Sequence, residues 1–150
     1  LCSIAYSIDT DGVIYVTDVV YSKESMEHTE SLVAAMLTQA KTRQVYVESN
    51  NGGRGFARAL QRLLPKVKVE WFHQSGNKEA RLLSNSATVV HTVRMPERWN
   101  LRWPEFFSHV TTYRRRFKAN RHDDAADALT GVVEREVCRR RGWSKMEFLR

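Results

Sequence analysis

The sequence predicts an α/β fold, a mixed and partly parallel sheet flanked by helices. Three observations predict it. Short β-branched and aromatic runs alternate with longer runs of helical period, in the order strand, strand, helix, strand, helix, strand. Strands that alternate with helices favour parallel pairing through right-handed crossovers. The chain has 150 residues and a hydrophobic fraction of 42%, which suits one domain over 1–150 with a buried core and is too apolar for a disordered chain.

Each element has its own warrant. Leu1 to Ile8 places Ile4, Tyr6 and Ile8 among small residues, and Val13 to Tyr21 (VIYVTDVVY) is β-branched and aromatic. The Asp9-Thr10-Asp11-Gly12 turn between them makes the pair a hairpin. From Lys23 to Ala40 the period becomes helical, with Leu32, Val33, Met36, Leu37 and Ala40 as the apolar stripe. Glu24, Glu27 and Glu30 come early and Lys41 and Arg43 follow, an order that complements the helix dipole. Gln44 to Val47 reads as a buried strand that ends at Glu48-Ser49-Asn50-Asn51-Gly52-Gly53. Phe56, Ala59, Leu60, Leu63 and Leu64 form a second helical stripe, stopped by Pro65. Val67 to Phe72 alternates as a strand. Helices are then expected over 78–90, 103–113 and 123–141, with Val93 to Pro96 extended. Trp71, Trp99, Trp103 and Trp143 read as core or lid packing.

Composition excludes several functions. No apolar run approaches the roughly 20 residues of a membrane span. There is no secretory leader pattern, and Cys2 and Cys138 are too few and too distant for a disulfide framework, so a reducing cytoplasm is expected. No phosphate-binding loop of nucleotide-driven motors occurs. The net charge of +7 points weakly to a polyanionic partner.

Two acidic positions carry potential chemistry. Glu48 ends a strand just before a Gly-containing loop, where sites of α/β sheets gather. From this residue alone a solvated strand end reads equally well. The second position is His122-Asp123-Asp124-Ala125-Ala126-Asp127. On a helix, Asp124 and Asp127, or Asp123 and Asp127, share a face. Asp123 or Asp124 also serves as an ordinary cap, but Asp127 sits a turn inside, among Ala125, Ala126, Ala128 and Leu129, which look core-facing. Carboxylates from separate elements, without cysteine, suit hard ions such as Mg²⁺ or Mn²⁺. Two such ions about 4 Å apart activate water and stabilise a leaving oxygen in phosphodiester cleavage. His122 adds a ligand or proton shuttle, or is simply a surface histidine.

Basic residues precede the acidic cluster. Arg114, Arg115, Arg116, Lys118 and Arg121 are interleaved with Tyr113 and Phe117, a pattern that meets phosphates or forms a solvated face. Lys78 and Arg81 follow a Gly turn and point either to the same site or to a helix start with exposed cations. The glycines of GGRG, 52–55, permit a close backbone approach at a strand-to-helix turn, with or without a phosphate there. Arg139 to Arg141 are ordinary for a helix end.

Taken together, VYVESNNGGRGFARAL at 45–60, QSGNKEAR at 74–81 and HDDAADAL at 122–129 resemble the C-terminal nuclease domain of the terminase large subunit of tailed bacteriophages and prophages. The resemblance covers nearly the whole chain. It implies an RNase H-like fold and a metal-dependent endonuclease that cuts concatemeric double-stranded DNA during genome packaging, in the bacterial host cytoplasm. It implies a two-metal Mg²⁺ or Mn²⁺ site, an ATPase motor domain in the full subunit, and portal protein and small terminase subunit as partners. By the same resemblance Glu48, Asp124 and Asp127 are catalytic ligands, with Asp123 a close contender, and Lys78, Arg81 and the 114–121 run position DNA.

One departure follows from the resemblance. The family's first strand carries a further catalytic aspartate and lies centrally in the sheet; here Leu1–Ile8 matches its second strand and Val13–Tyr21 its third. Asp9, Asp11 and Asp18 are no convincing substitutes. Either upstream residues are missing, or the sheet is rearranged, or another element fills the gap; the first is favoured, and a chain starting at Leu1 is expected to be weakly active or inactive. The rival readings are a junction resolvase-like nuclease of the same fold, which would prefer branched DNA, and a non-catalytic module that docks on DNA or portal.

Overall fold

A computed structural model describes residues 1–50, 52–114 and 123–140. The chain forms two compact units, one of residues 1–6 and 16–77, the other of residues 7–15 and 78–150. The element order is β1 (Cys2–Ile8), β2 (Ile14–Tyr21), α1 (Met26–Gln39), β3 (Gln44–Glu48), α2 (Gly53–Leu63), β4 (Lys68–Phe72), α3 (Lys78–Thr92), β5 (Val93–Arg94), α4 (Trp99–Arg102), α5 (Pro104–Thr111) and α6 (Asp124–Arg140). The expected alternation of strands and helices is present. The helix expected over 103–113 is α5, and a short helix not expected from the sequence, α4, precedes it, the two separated where Trp103 leaves helical geometry.

In the first unit the parallel pair β3–β4 runs in register from Gln44 opposite Lys68 to Glu48 opposite Phe72. Helices α1 and α2 cover it, with Val33, Met36, Leu37, Phe56, Ala57, Leu60 and Val69 in one core. Ser25 caps α1, its hydroxyl accepting from the His28 amide. The apolar stripes differ from the sequence reading in detail. Leu32 and Leu63 are exposed, as is Ala40, while Ala34 and Ala57 are buried. Helical period fixes a stripe's existence, but its rotation against the sheet decides which edge residue stays wet. Trp71 is likewise exposed, although in β4 it shares a face with the buried Val69, so the cover over that face does not extend to it.

Strands β1 and β3 belong to different sheets, ordered β1-β2-β5 and β3-β4. Among the described residues no strand joins them. A cavity of about 400 Å³ lies where they approach, lined by Leu1, Cys2, Ser3, Val45, Val47 and Glu48 and floored by α2 residues such as Phe56 and Leu60.

The tight turn between β1 and β2 is organised by Asp9. Its carboxylate accepts from the amides of Asp11, Gly12 and Val13 and from the Tyr15 hydroxyl. The Val13 amide bond is the largest influence holding the Asp9 carboxyl below its usual value. Gly12 takes the positive φ that this turn requires. Asp9 is therefore a turn-former.

In the second unit α3 and α5 pack on α6. Leu82, Trp103, Phe106, Ala125, Leu129 and Val133 form the core. The ring of Trp99 packs edge-on against Phe106 and Phe107, so two of the tryptophans do serve packing. Strand β2 pairs in parallel with β5 through Ile14 opposite Val93. No helix among the described residues is long and apolar enough to cross a membrane.

The end of α1 yields a first testable consequence. Lys41 follows its C-cap with φ of 51°, a left-handed conformation that an L side chain adopts at a cost. Lys41→Gly is expected to stabilise the chain by about 1 kcal/mol, seen as a rise in Tm of roughly 2–4 °C in a thermal melt. An unchanged or lower Tm would show that the lysine side chain makes up the difference.

Candidate functional site

The acidic residue that ends β3 sits on the rim of the first unit's cavity. Glu48 is exposed and accepts from the Asn50 side-chain amide at 2.7 Å, and the same amide donates to the Gln74 carbonyl at 3.1 Å. Glu48 is thus held by the loop that follows it. Gly53, the first residue of α2, allows that loop to be short: a Cβ there would fall 1.7 Å from the Glu48 carbonyl oxygen. The glycine-rich turn permits the close approach expected from its sequence, and what it accommodates is the chain's own backbone.

In the second unit a charged layer joins α3 to α6. Asp123 caps α6, its carbonyl accepting from the Asp127 amide, and places its carboxylate one turn below that of Asp127. The Lys78 ammonium lies 3.0 Å from Asp123 Oδ1 and 3.2 Å from Asp127 Oδ2. Arg81 donates through Nη2 to Asp127 Oδ1 and through Nη1 to Glu134 Oε2, the latter at 2.8 Å. Asn85 donates to Glu134 Oε1 at 3.1 Å. Three carboxylates therefore face two cations across a helix pair, with Ala125 and Leu129 buried beneath them.

Electrostatics in this layer follow from burial and pairing. Burial alone would push the Lys78 ammonium down, but Asp123 and Asp127 outweigh it and hold its pKa above the ordinary lysine value. The stabilisation that comes from the Lys78 charge is therefore fully present below the unfolded lysine pKa and is lost as pH rises through the raised folded value, in alkaline solution. Arg81 is raised too: burial opposes its charge and the Glu134 and Asp127 carboxylates favour it. Glu134 moves upward because its burial exceeds the help it receives from Arg81 and Asn85. Burial also raises the Tyr113 phenol, and the Asp123 charge adds to it.

Of the residues singled out in the sequence, the structure brings Lys78, Arg81, Asp123 and Asp127 together. Asp124 is exposed at the first position of α6, and no pairing to Lys78 or Arg81 is formed by it. Glu48 belongs to the other unit. Lys78 and Arg81 are both engaged by carboxylates in the structure. Arg114 is exposed, whereas Arg115, Arg116, Lys118, Arg121 and His122 lie outside the described residues. Glu134 and Asn85 escaped the sequence reading. Their signal was periodicity: Asn85 lies four residues past Arg81, and Glu134 seven past Asp127, each on its partner's helical face.

The donor set fits a hard cation in one respect. Two carboxylate oxygens from successive turns already converge on a single positive centre, the Lys78 nitrogen, and oxygen donors of this kind suit a hard ion. Among the described residues no three carboxylate, imidazole or thiolate groups gather tightly enough to cage an ion, so Asp123 and Asp127 make a two-carboxylate half-site.

Among curated proteins none matches the chain. The model of the family described as Terminase Bacteriophage T7, Ribonuclease H-like domain matches residues 2–95. That span runs from β1 through β5 and contains Glu48, Lys78 and Arg81, while the aspartates of α6 lie beyond it. With a match over well over half of its length, and with strands and helices alternating as such a fold requires, the chain belongs to the terminase ribonuclease H-like domain family.

Proposed function

We propose that this domain is a metal-dependent endonuclease that cuts double-stranded DNA for a terminase. The observation that carries the reading is the convergence of Asp123 and Asp127 on one cationic centre in a member of a ribonuclease H-like family. When bound, Mg²⁺ or Mn²⁺ would supply water activation and neutralisation of the charge that builds on the scissile phosphate. Asp127 and Asp123 would hold the ion, and Glu48 and Asp124 are the further carboxylates assigned to it. Arg81 fixes one oxygen of Asp127, so the carboxylate is oriented before a ligand arrives. Contacts to DNA through Lys78 and the basic residues before α6 would be to phosphates, which predicts little base specificity. Cutting of concatemers, with portal protein and small terminase subunit as partners in the host cytoplasm, is the setting this reading assigns to the domain.

The test is cleavage of supercoiled plasmid by the chain. We expect at most weak nicking, which requires Mn²⁺ or Mg²⁺, stops with EDTA, and is lost in Glu48→Ala and Asp123→Ala. A matched linear and branched duplex separates a terminase-type cutter from a junction resolvase. Cleavage that persists in EDTA would overturn the reading. So would a parent that never cuts and whose salt-sensitive DNA binding ignores divalent ions in parent and variants alike; that result would favour a binding module.

A further inference from the structure

We propose that Lys78 is an exchangeable counter-ion of the acidic face of α6 and Arg81 its permanent one. A divalent cation taken up by Asp123 and Asp127 displaces the Lys78 ammonium, which is then available to a phosphate, while Arg81 keeps Asp127 in place. The proposal deepens the reading above and rests on it.

Both oxygens of Asp127 are already engaged, Oδ1 by Arg81 and Oδ2 by Lys78. A cation held between Asp123 Oδ1 and Asp127 Oδ2 would meet the Lys78 ammonium there, and one on the other side of Asp127 would meet Arg81. Arg81 is the harder to remove. Its side chain is 15% exposed, its fork reaches Asp127 and Glu134 at once, and Asn85 braces Glu134 from the same helix. Lys78 differs in each respect. Its side chain is 34% exposed, it is the first residue of α3, and it carries one compact charge on a flexible four-carbon stem. It also touches the two oxygens, Asp123 Oδ1 and Asp127 Oδ2, that converge from successive turns, so it occupies the position a bridging cation would take.

Charge balance points the same way. Asp123, Asp127 and Glu134 carry three formal negative charges against the two positive charges of Lys78 and Arg81. Exchange of the single charge of Lys78 for a divalent ion brings the set to neutrality. Uptake of the ion and exposure of a lysine beside it are then one event, and the domain would present a free cation to DNA only when it is loaded.

The exchange can be read without cleavage. Brief acetylation of the parent chain with acetic anhydride, followed by mass spectrometry, compares Lys78 with the exposed Lys66 as internal reference. Saturating Mn²⁺ is expected to raise the relative reactivity of Lys78 at least about threefold, since an amine released from contact with two carboxylates is more accessible to the reagent. Titration calorimetry with Mn²⁺ supplies the second readout. Lys78→Gln should bind about tenfold more tightly than the parent because the competitor is gone. Arg81→Gln should bind about tenfold more weakly because Asp127 loses its support. Lys78→Arg, which retains the positive charge, should bind no more tightly than the parent. Unchanged Lys78 reactivity, or equal Mn²⁺ affinity of parent and Lys78→Gln, would overturn the exchange while leaving metal binding intact. Absence of Mn²⁺ binding by the parent and all three variants would remove the exchange and the metal-dependent reading together.

Discussion

Asp127→Asn is expected to lower the rate of metal-dependent cleavage by about a thousandfold, roughly 4 kcal/mol of transition-state stabilisation. Asparagine keeps the size of the side chain and one oxygen, so Arg81 still has an acceptor. What disappears is the charge shared by Lys78 and Arg81 and offered to a divalent ion. The stability cost should be smaller than the 3–5 kcal/mol found when a fully buried pair is broken, because the Asp127 side chain retains 17% exposure; about 1–2 kcal/mol is expected. For a chain of this size that is a fall in Tm of roughly 2–8 °C. Single-turnover cleavage and a thermal melt measured on the same preparation separate the two effects. A variant that folds normally and cuts within tenfold of the parent would show that Asp127 serves the α3–α6 layer and not the chemistry.

Gly53→Ala should be among the most damaging conservative changes in the first unit. The added Cβ would lie 1.7 Å from the Glu48 carbonyl oxygen and 2.8 Å from its carbonyl carbon, both backbone atoms that cannot swing aside. Either the start of α2 or the end of β3 must move, and the core formed by Phe56, Ala57 and Leu60 with Val69 moves with it. Overpacking of this kind costs about 3 kcal/mol, a loss of roughly 6–12 °C in Tm. Gly55→Ala is the internal control. Nothing lies within 4 Å of a Cβ at that position, and alanine is the better helix former, so it should stabilise by about 0.5–1 kcal/mol. The contrast between two glycines two residues apart is checked by melting both variants. Equal stability of Gly53→Ala and the parent would mean that the strand-to-helix turn is looser than its geometry requires. Because Glu48 sits at the end of the displaced strand, Gly53→Ala should also impair any function of that carboxylate.

The two cases show what could be read before the fold was known. The period-2 and period-3.6 patterns place the strands and every helix except the short α4 within a few residues, because each longer element must bury one face. The Asp-Gly turn and Pro65 mark boundaries for stereochemical reasons that act locally. Asp127 stood out because a carboxylate among alanines and a leucine on a helix needs a partner.

The identity of that partner was not legible. Lys78 and Arg81 read either as cations near a phosphate site or as an exposed helix start; only the packing of α3 on α6 made them counter-ions of Asp123 and Asp127. The same packing recruited Glu134 and Asn85, whose local sequence carries no special motif, and left Asp124 exposed although it is as acidic as its neighbours. The rotation of each amphipathic helix, which exposed Leu32 and Leu63, was likewise fixed by what it packs against. The sequence by itself determined the order of elements, the turns and the supply of charged groups, since these depend on residues a few positions apart. Which charges meet was decided by the tertiary structure, because Coulomb forces act through space between segments that lie dozens of residues apart; which glycine has no room for a methyl group was decided by the fold of a strand-to-helix turn, because steric overlap depends on where that turn returns the backbone.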